Sequence, residues 1–208
     1  MGKKAFLKKS FLSMMEQGIF SLSSFITGIL LARATGPEFS GIYALILSIM
    51  MIAMGLQRTA VALPFNVFYP KMEDEKQKED YKGATCSLQC IFLVAVSIIL
   101  MLLKLLGVWK IDVNPLALLI FIFGYLMKDF VRQYFYALDK ISTCFLLGFI
   151  QTLLQITVLS ILYGLKLFTL NKMLIVIGIT SLLCPILFTG RSFAFRFKFK
   201  LVKSAALK

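Results

Sequence analysis

The 208-residue sequence contains no histidine and only ten acidic residues, set against 23 lysines and arginines. Without histidine, the commonest general base and metal ligand is missing. No two aspartates share an apolar run, no glycine-rich phosphate loop follows a strand pattern, and no nucleophile has a recognisable base. The chain therefore reads as a non-enzyme, with no catalytic residue, no cofactor and no metal site. Four cysteines, Cys86, Cys90, Cys144 and Cys184, sit inside apolar runs without paired ligand spacing, and read as small packing residues. One stretch, "YPKMEDEKQKEDYKG", is rich in both signs, but its acids lack the spacing of an ion-binding loop; it reads as a solvated linker or short surface helix. No internal repeat or low-complexity linker divides the chain.

Apolar residues are what the sequence has in quantity: 59% of the chain, with a mean hydropathy of +0.86 and only 16% charged residues. A soluble domain carries about 25% charge. A bilayer core needs roughly 20 apolar residues per spanning helix, and about six stretches reach or approach that length. Backbone in lipid must satisfy its own hydrogen bonds, and no alternating barrel pattern is present, so the fold class is all-α: a polytopic membrane helical bundle. The expected spans are 11–31, 40–64, 84–106, 114–137, 142–165 and 172–189. Asn114 and Pro115 form a start signal for the fourth, and Pro185 is expected to kink the sixth. A cleaved signal peptide is disfavoured for the first run, which is too long and holds Glu16 and Gln17.

With the N-terminus inside, about 18 of the 23 cationic residues lie on inner segments and about five on outer ones, which predicts N-in and C-in. Residues 191–208 then form a basic, aromatic cytoplasmic tail. The net charge of +13 serves topology and contact with anionic inner-leaflet lipids. Dispersed cations without a recognition motif argue against nucleic acid as a partner.

Polar residues within the spans are the candidate site. Glu16 and Arg58 lie at similar depth, roughly 8 to 9 Å from the inner ends of the first two helices at 1.5 Å per residue. An intramembrane charge costs about 2.5–3.5 kcal/mol at the bilayer centre, so Glu16 and Arg58 are expected to face inward and pair, as a structural bond or a coupling site. Gln17 shares a face with Ser21, Ser24 and Gly28, and Ser24, Gly28 and Ala32 form a small-residue ridge suited to helix packing. In "MKDFVRQYFYALDK", Lys128, Asp129 and Arg132 fall on one face. Snorkelling accounts for Lys128 and Lys140, Arg132 suits phosphate, and Tyr134, Phe135 and Tyr136 suit the aromatic belt. Gly148, Gln151, Thr152 and Gln155 make a neutral polar stripe that lines a wet cavity or bonds to a neighbour. "ARATGPEFSG" reads as an outer hairpin of roughly eight residues, with Gly36 ending one helix, Pro37 and Glu38 opening the next, and Gly41 packing just beyond.

Residues Met15 to Phe65 resemble the first two helices of the polysaccharide flippases, the Wzx-like or polysaccharide transport group of the multidrug/oligosaccharidyl-lipid/polysaccharide exporter superfamily. The resemblance lies in Glu16-Gln17, in Leu31-Ala32-Arg33 with Gly36-Pro37-Glu38-Phe39 and Gly41, in Gln57-Arg58 ahead of Pro64, and in Arg132 with Tyr136-Ala137. It implies a cell-membrane transporter that flips polyprenyl-pyrophosphate-linked oligosaccharide by alternating access, for lipopolysaccharide or capsule export. Arg58, Arg132, Gln17, Gln151 and Gln155 would contact the lipid-linked saccharide, with Glu16 and Arg58 as coupling pair. About six helices match one lobe of such transporters, so a second lobe or a homodimer partner is expected. The rival expectations are a multidrug or metabolite exporter of the same superfamily and a truncated, non-transporting half-transporter or membrane scaffold.

Overall fold

The computed structural model describes residues 3–107 and 113–189, and every regular element among them is helical. Helix α1 (Lys3–Thr35) turns at Gly36 into α2 (Pro37–Gln57). A π-helical segment (Arg58–Ala62), α3 (Leu63–Phe68) and a 3-10 turn (Tyr69–Lys71) follow. Helices α4 (Glu75–Leu105), α5 (Pro115–Ala137), α6 (Ile141–Gly164) and α7 (Leu170–Thr189) complete the bundle.

Four stretches are long and apolar enough to cross a membrane: Lys9–Thr35, Pro37–Lys71, Glu75–Leu103 and Ile141–Gly164. Their outer surfaces carry large exposed apolar side chains, among them Met14 and Met51 at 73% and Ile52 at 66%. Buried positions, by contrast, include Glu16, Gln57, Gln89, Asp129, Gln151 and Gln155. Oil outside and polar groups inside is the arrangement of a protein solvated by lipid, where an exposed unsatisfied polar group is costly. The chain is thus a membrane protein. Two of the six expected spans fall short by length and composition: α5 carries Lys128, Asp129 and Arg132, and the described apolar stretch of α7 is Leu170–Leu182.

Several boundaries differ from expectation. The hairpin of eight residues collapses to a single one, Gly36, whose φ of 86° lies where a side chain is disfavoured. Its N–H bonds to Ala32 O at 3.1 Å, and Pro37 opens α2, as its fixed φ suits. The charged loop is largely helix: Asp74 caps it by accepting from Lys76 N at 3.0 Å, and Lys78 pairs with Glu75 at 2.7 Å in the first turn of α4. Asn114 caps α5 as predicted, accepting from Leu116 N at 2.9 Å. Helix α7 continues through Pro185 to Thr189. Pro64 is absorbed by a widened turn in which Leu63 N reaches back five residues to Arg58 O. The tail at 191–208 and the side chain of Cys184 lie outside the described residues.

Helix packing uses glycines other than those expected. Ser24 and Ala32 are exposed, and a Cβ on Gly28 or Gly41 would meet nothing within 4 Å, so that ridge packs against no helix in the bundle. The buried face of α1 is instead Glu16, Ser23, Thr27 and Leu31: Glu16 and Thr27 have partners on α5 and α6, Leu31 joins the core, and Ser23 lines the cleft. Close approach occurs where α5 crosses α7. A Cβ on Gly124 would collide with the Gly178 carbonyl and come within 2.8 Å of Gly178 Cα, and one on Gly178 would collide with Ile120 O. Backbone against backbone leaves nothing that can yield.

Gly178→Ala should therefore lower the thermal unfolding midpoint in detergent, with a cost of about 1–3 kcal/mol typical of overpacking. Gly28→Ala should be neutral or slightly stabilising, because the site is open and alanine favours helix by about 0.8–1 kcal/mol. Equal midpoints for the two variants would contradict the crossing.

Candidate functional site

A cleft of about 290 Å³ opens between α1, α2 and α5, with Gln155 of α6 and Ile177 of α7 among its lining residues. It gathers Gln17, Arg58, Lys128, Asp129 and Arg132 with the aromatic rings of Phe20, Tyr43 and Tyr125 and the thioethers of Met51 and Met54. Four of the five residues proposed from sequence to contact substrate, Arg58, Arg132, Gln17 and Gln155, converge here. The fifth, Gln151, lines a smaller adjoining cavity with Glu16 and Arg132.

The expected pairing of Glu16 with Arg58 is not what the structure contains. Arg58 makes a two-pronged bond to Asp129, Nε donating to Oδ2 at 2.9 Å and Nη2 to Oδ1 at 2.6 Å. Glu16 belongs to Arg132, whose Nε lies 3.0 Å from its Oε1. That Nε–H is off the line of the carboxylate and has no hydrogen-bond partner, so the contact is an ion pair only. The physical reason is α5. Asp129 and Arg132 project from adjoining turns of α5, and the first takes Arg58 while the second takes Glu16. Similar depth, the basis of the expected pair, says nothing about which charges a third helix brings within reach.

Glu16 is 2% exposed and has two further contacts: the Tyr136 hydroxyl donates to Oε2, and the Cys144 thiol lies 3.3 Å from Oε1. This corrects two expectations. Tyr136 is drawn inward by the carboxylate, and Tyr134 and Phe135 are buried at 3% and 6%, so none forms a lipid-interface belt. Cys144 serves as a weak donor as well as filler. Lys128 does not snorkel away: its Nζ lies 4.3 Å from the Phe20 ring centre and 5.3 Å from that of Tyr125. Arg132 also stands over Phe20, at 5.3 Å, and over Tyr136, at 5.6 Å. Cation–π contacts of this kind hold the cations at the cleft wall at about 0.5–2 kcal/mol each.

The stripe on α6 bonds to its neighbours. Gln155 Nε2 donates to Thr27 Oγ1 of α1 at 3.2 Å, and Gln151 Nε2 donates to Ser181 Oγ of α7 at 3.2 Å. Gln57, fully buried, ties α2 to α5 through Leu126 O at 3.1 Å. Arg58 follows it at the start of the π-helical segment and stays 42% exposed, so guanidinium donors beyond the two held by Asp129 face the cleft. With three cations and one carboxylate on its wall, the cleft is net positive.

No groups of acidic residues and cysteines suited to a metal ion occur among the described residues. Sequence reasoning missed Asp129 as the partner of Arg58, Tyr136 and Cys144 as partners of Glu16, and Phe20 and Lys128 as cleft walls. Lys128 and Asp129 left a trace, as charges in an apolar helix. No protein-family model matches the sequence, and no curated protein or solved structure matches it either.

The pairing predicts a pattern of energetic coupling. Double-mutant cycles on unfolding in detergent should give about 0.5–3 kcal/mol between Glu16→Gln and Arg132→Gln, and likewise between Asp129→Asn and Arg58→Gln. The cycle of Glu16→Gln with Arg58→Gln should be additive within about 0.5 kcal/mol. Strong coupling in that third cycle would restore the pairing read from sequence.

Proposed function

We propose that the chain is a flippase component of the cytoplasmic membrane, moving polyprenyl-pyrophosphate-linked oligosaccharide for surface polysaccharide synthesis. The observation that carries this reading is the net-positive polar cleft set among helices whose outer faces are apolar. In it, Arg58, Lys128 and Arg132 attract the pyrophosphate, while Gln17 and Gln155 meet sugar hydroxyls. Fork-shaped guanidinium donors suit phosphate oxygens, and amides suit hydroxyls.

Size narrows the role. Ligand sites usually enclose about 300–1,000 Å³, so a cleft of about 290 Å³ takes a pyrophosphate and an adjoining sugar, with the remaining saccharide outside it. The lipid tail passes over the apolar flanks of α1 and α2. A second lobe or second copy covers the open side, where Gln17, Ser24 and Arg58 would otherwise meet lipid. Six spans with both termini cytoplasmic complete the proposal. At 23 residues, α5 is about 34 Å long, enough to cross, and its Asp129 and Arg132 are paired to Arg58 and Glu16. Glu16 is the coupling group of this reading, releasing Arg132 to the cleft as the lobes rock.

Single neutralisations confuse binding with folding, because removing one partner of a buried ion pair costs about 3–5 kcal/mol. The better test is Arg58→Gln with Asp129→Asn, which leaves no orphaned charge. Reconstituted in vesicles, this variant should insert and fold but lose flipping of a lipid-pyrophosphate saccharide. Unaltered flipping would remove the cleft from the transport path. In cells, loss of the protein should deplete surface polysaccharide; raised drug sensitivity with intact polysaccharide would favour a drug exporter instead.

A further inference from the structure

Behind the cleft, between α1, α5 and α6, lies a second cavity of about 30 Å³ whose walls include Glu16, Phe20, Lys128, Arg132, Cys144 and Gln151. One water needs roughly 10–15 Å³ of such space, so the cavity holds one or two waters and no phosphate or sugar. Its wall chemistry narrows the occupant further. Two cations, Lys128 and Arg132, oppose a metal ion, and the Glu16 carboxylate opposes an anion. A neutral hydrogen-bonding molecule is what remains.

A donor stands ready for it. Arg132 Nε is buried and lacks a hydrogen-bond partner, although its side chain is otherwise enclosed by Glu16 and two aromatic rings. A buried N–H without a partner is costly, and ordered water is the usual remedy where the site is polar and large enough. Phe20, Lys128 and Arg132 line both this cavity and the cleft, and so form the partition between them. Across from the ring, a Cβ on Gly148 would come within 3.0 Å of Phe20 Cζ, so glycine leaves the space that the ring occupies.

We propose that this cavity is a hydration site, with water accepting from Arg132 Nε–H beside Glu16, and that Phe20 is the side chain separating it from the cleft. The buried carboxylate then sits in contact with water, and Phe20, flanked by Lys128 and Arg132, stands between that water and the cleft. None of this depends on what the cleft carries, so a failure here and a failure of the flippase reading are separate results.

Cys144 is a built-in reporter, since its thiol lines the cavity and it is 3% exposed. Cys86, 5% exposed in the same buried cluster as Cys144 but not among the residues lining the cavity, is an internal control for loss of fold. The full chain, with Cys90 and Cys184 changed to Ala, is reconstituted in vesicles and treated with a small, neutral, water-soluble methanethiosulfonate. Cys144 should react slowly behind Phe20, about tenfold or more faster in Phe20→Ala, and no faster in Phe20→Trp, with Cys86 protected throughout. If Phe20→Ala also exposes Cys86, Phe20→Leu carries the comparison and should show a smaller acceleration confined to Cys144. A rate unaffected by the side chain at position 20 would overturn the partition. A density map of the unaltered chain that resolves ordered solvent should show a peak within hydrogen-bond distance of Arg132 Nε; a dry cavity would overturn the hydration site.

Discussion

Four charges meeting on one helix constrain the rest of this bundle. Placed singly at the bilayer centre, Glu16, Arg58, Asp129 and Arg132 would each cost about 2.5–3.5 kcal/mol on insertion scales. Two pairings, Glu16 with Arg132 and Arg58 with Asp129, relieve that cost together, and both run through α5. Helices α1 and α2 are thereby each tied to α5, and the cleft opens among the three. The charges that pair across the bundle are also those that leave the cleft wall net positive.

Other contacts adjust around that requirement. Gly124 and Gly178 let α7 lie against the backbone of α5, on a side left free by the ion pairs. Amides add further joins: Gln155 of α6 to Thr27 of α1, Gln151 of α6 to Ser181 of α7, and Gln57 to the α5 backbone. Arg58 opens the π-helical segment that leads to Pro64, so the irregularity in α2 falls where the arginine must reach Asp129. Backbone irregularities in transmembrane helices are tolerated where neighbouring groups satisfy the freed atoms, and here Leu63 N does so by bonding to Arg58 O.

The helical class, the caps at Asn114 and Pro37, and the special backbone at Gly36 were legible because each depends on residues close in sequence. Most of the polar residues of the cleft were legible for a different reason: a glutamine or arginine in an apolar run is conspicuous whatever it touches. The partners were not. Lys128 reads as a snorkelling side chain until Phe20, on another helix, is placed under its ammonium group. Ser24, Gly28 and Ala32 read as a packing ridge, yet a rotation of α1 by one residue's angle puts Ser23 and Thr27 inward instead.

The sequence by itself determined that this chain lives in lipid, that it does so as helices, and which few positions hold polar atoms among the oil. Hydropathy and backbone propensity are local and additive, so they survive without knowledge of the fold. Only the tertiary structure decided who pairs with whom, which glycines carry a helix crossing, and that Phe20 lines both the cleft and the cavity beside Glu16. Those outcomes depend on helix rotation and neighbour order, and a shift of one residue turns a helix face by about 100°.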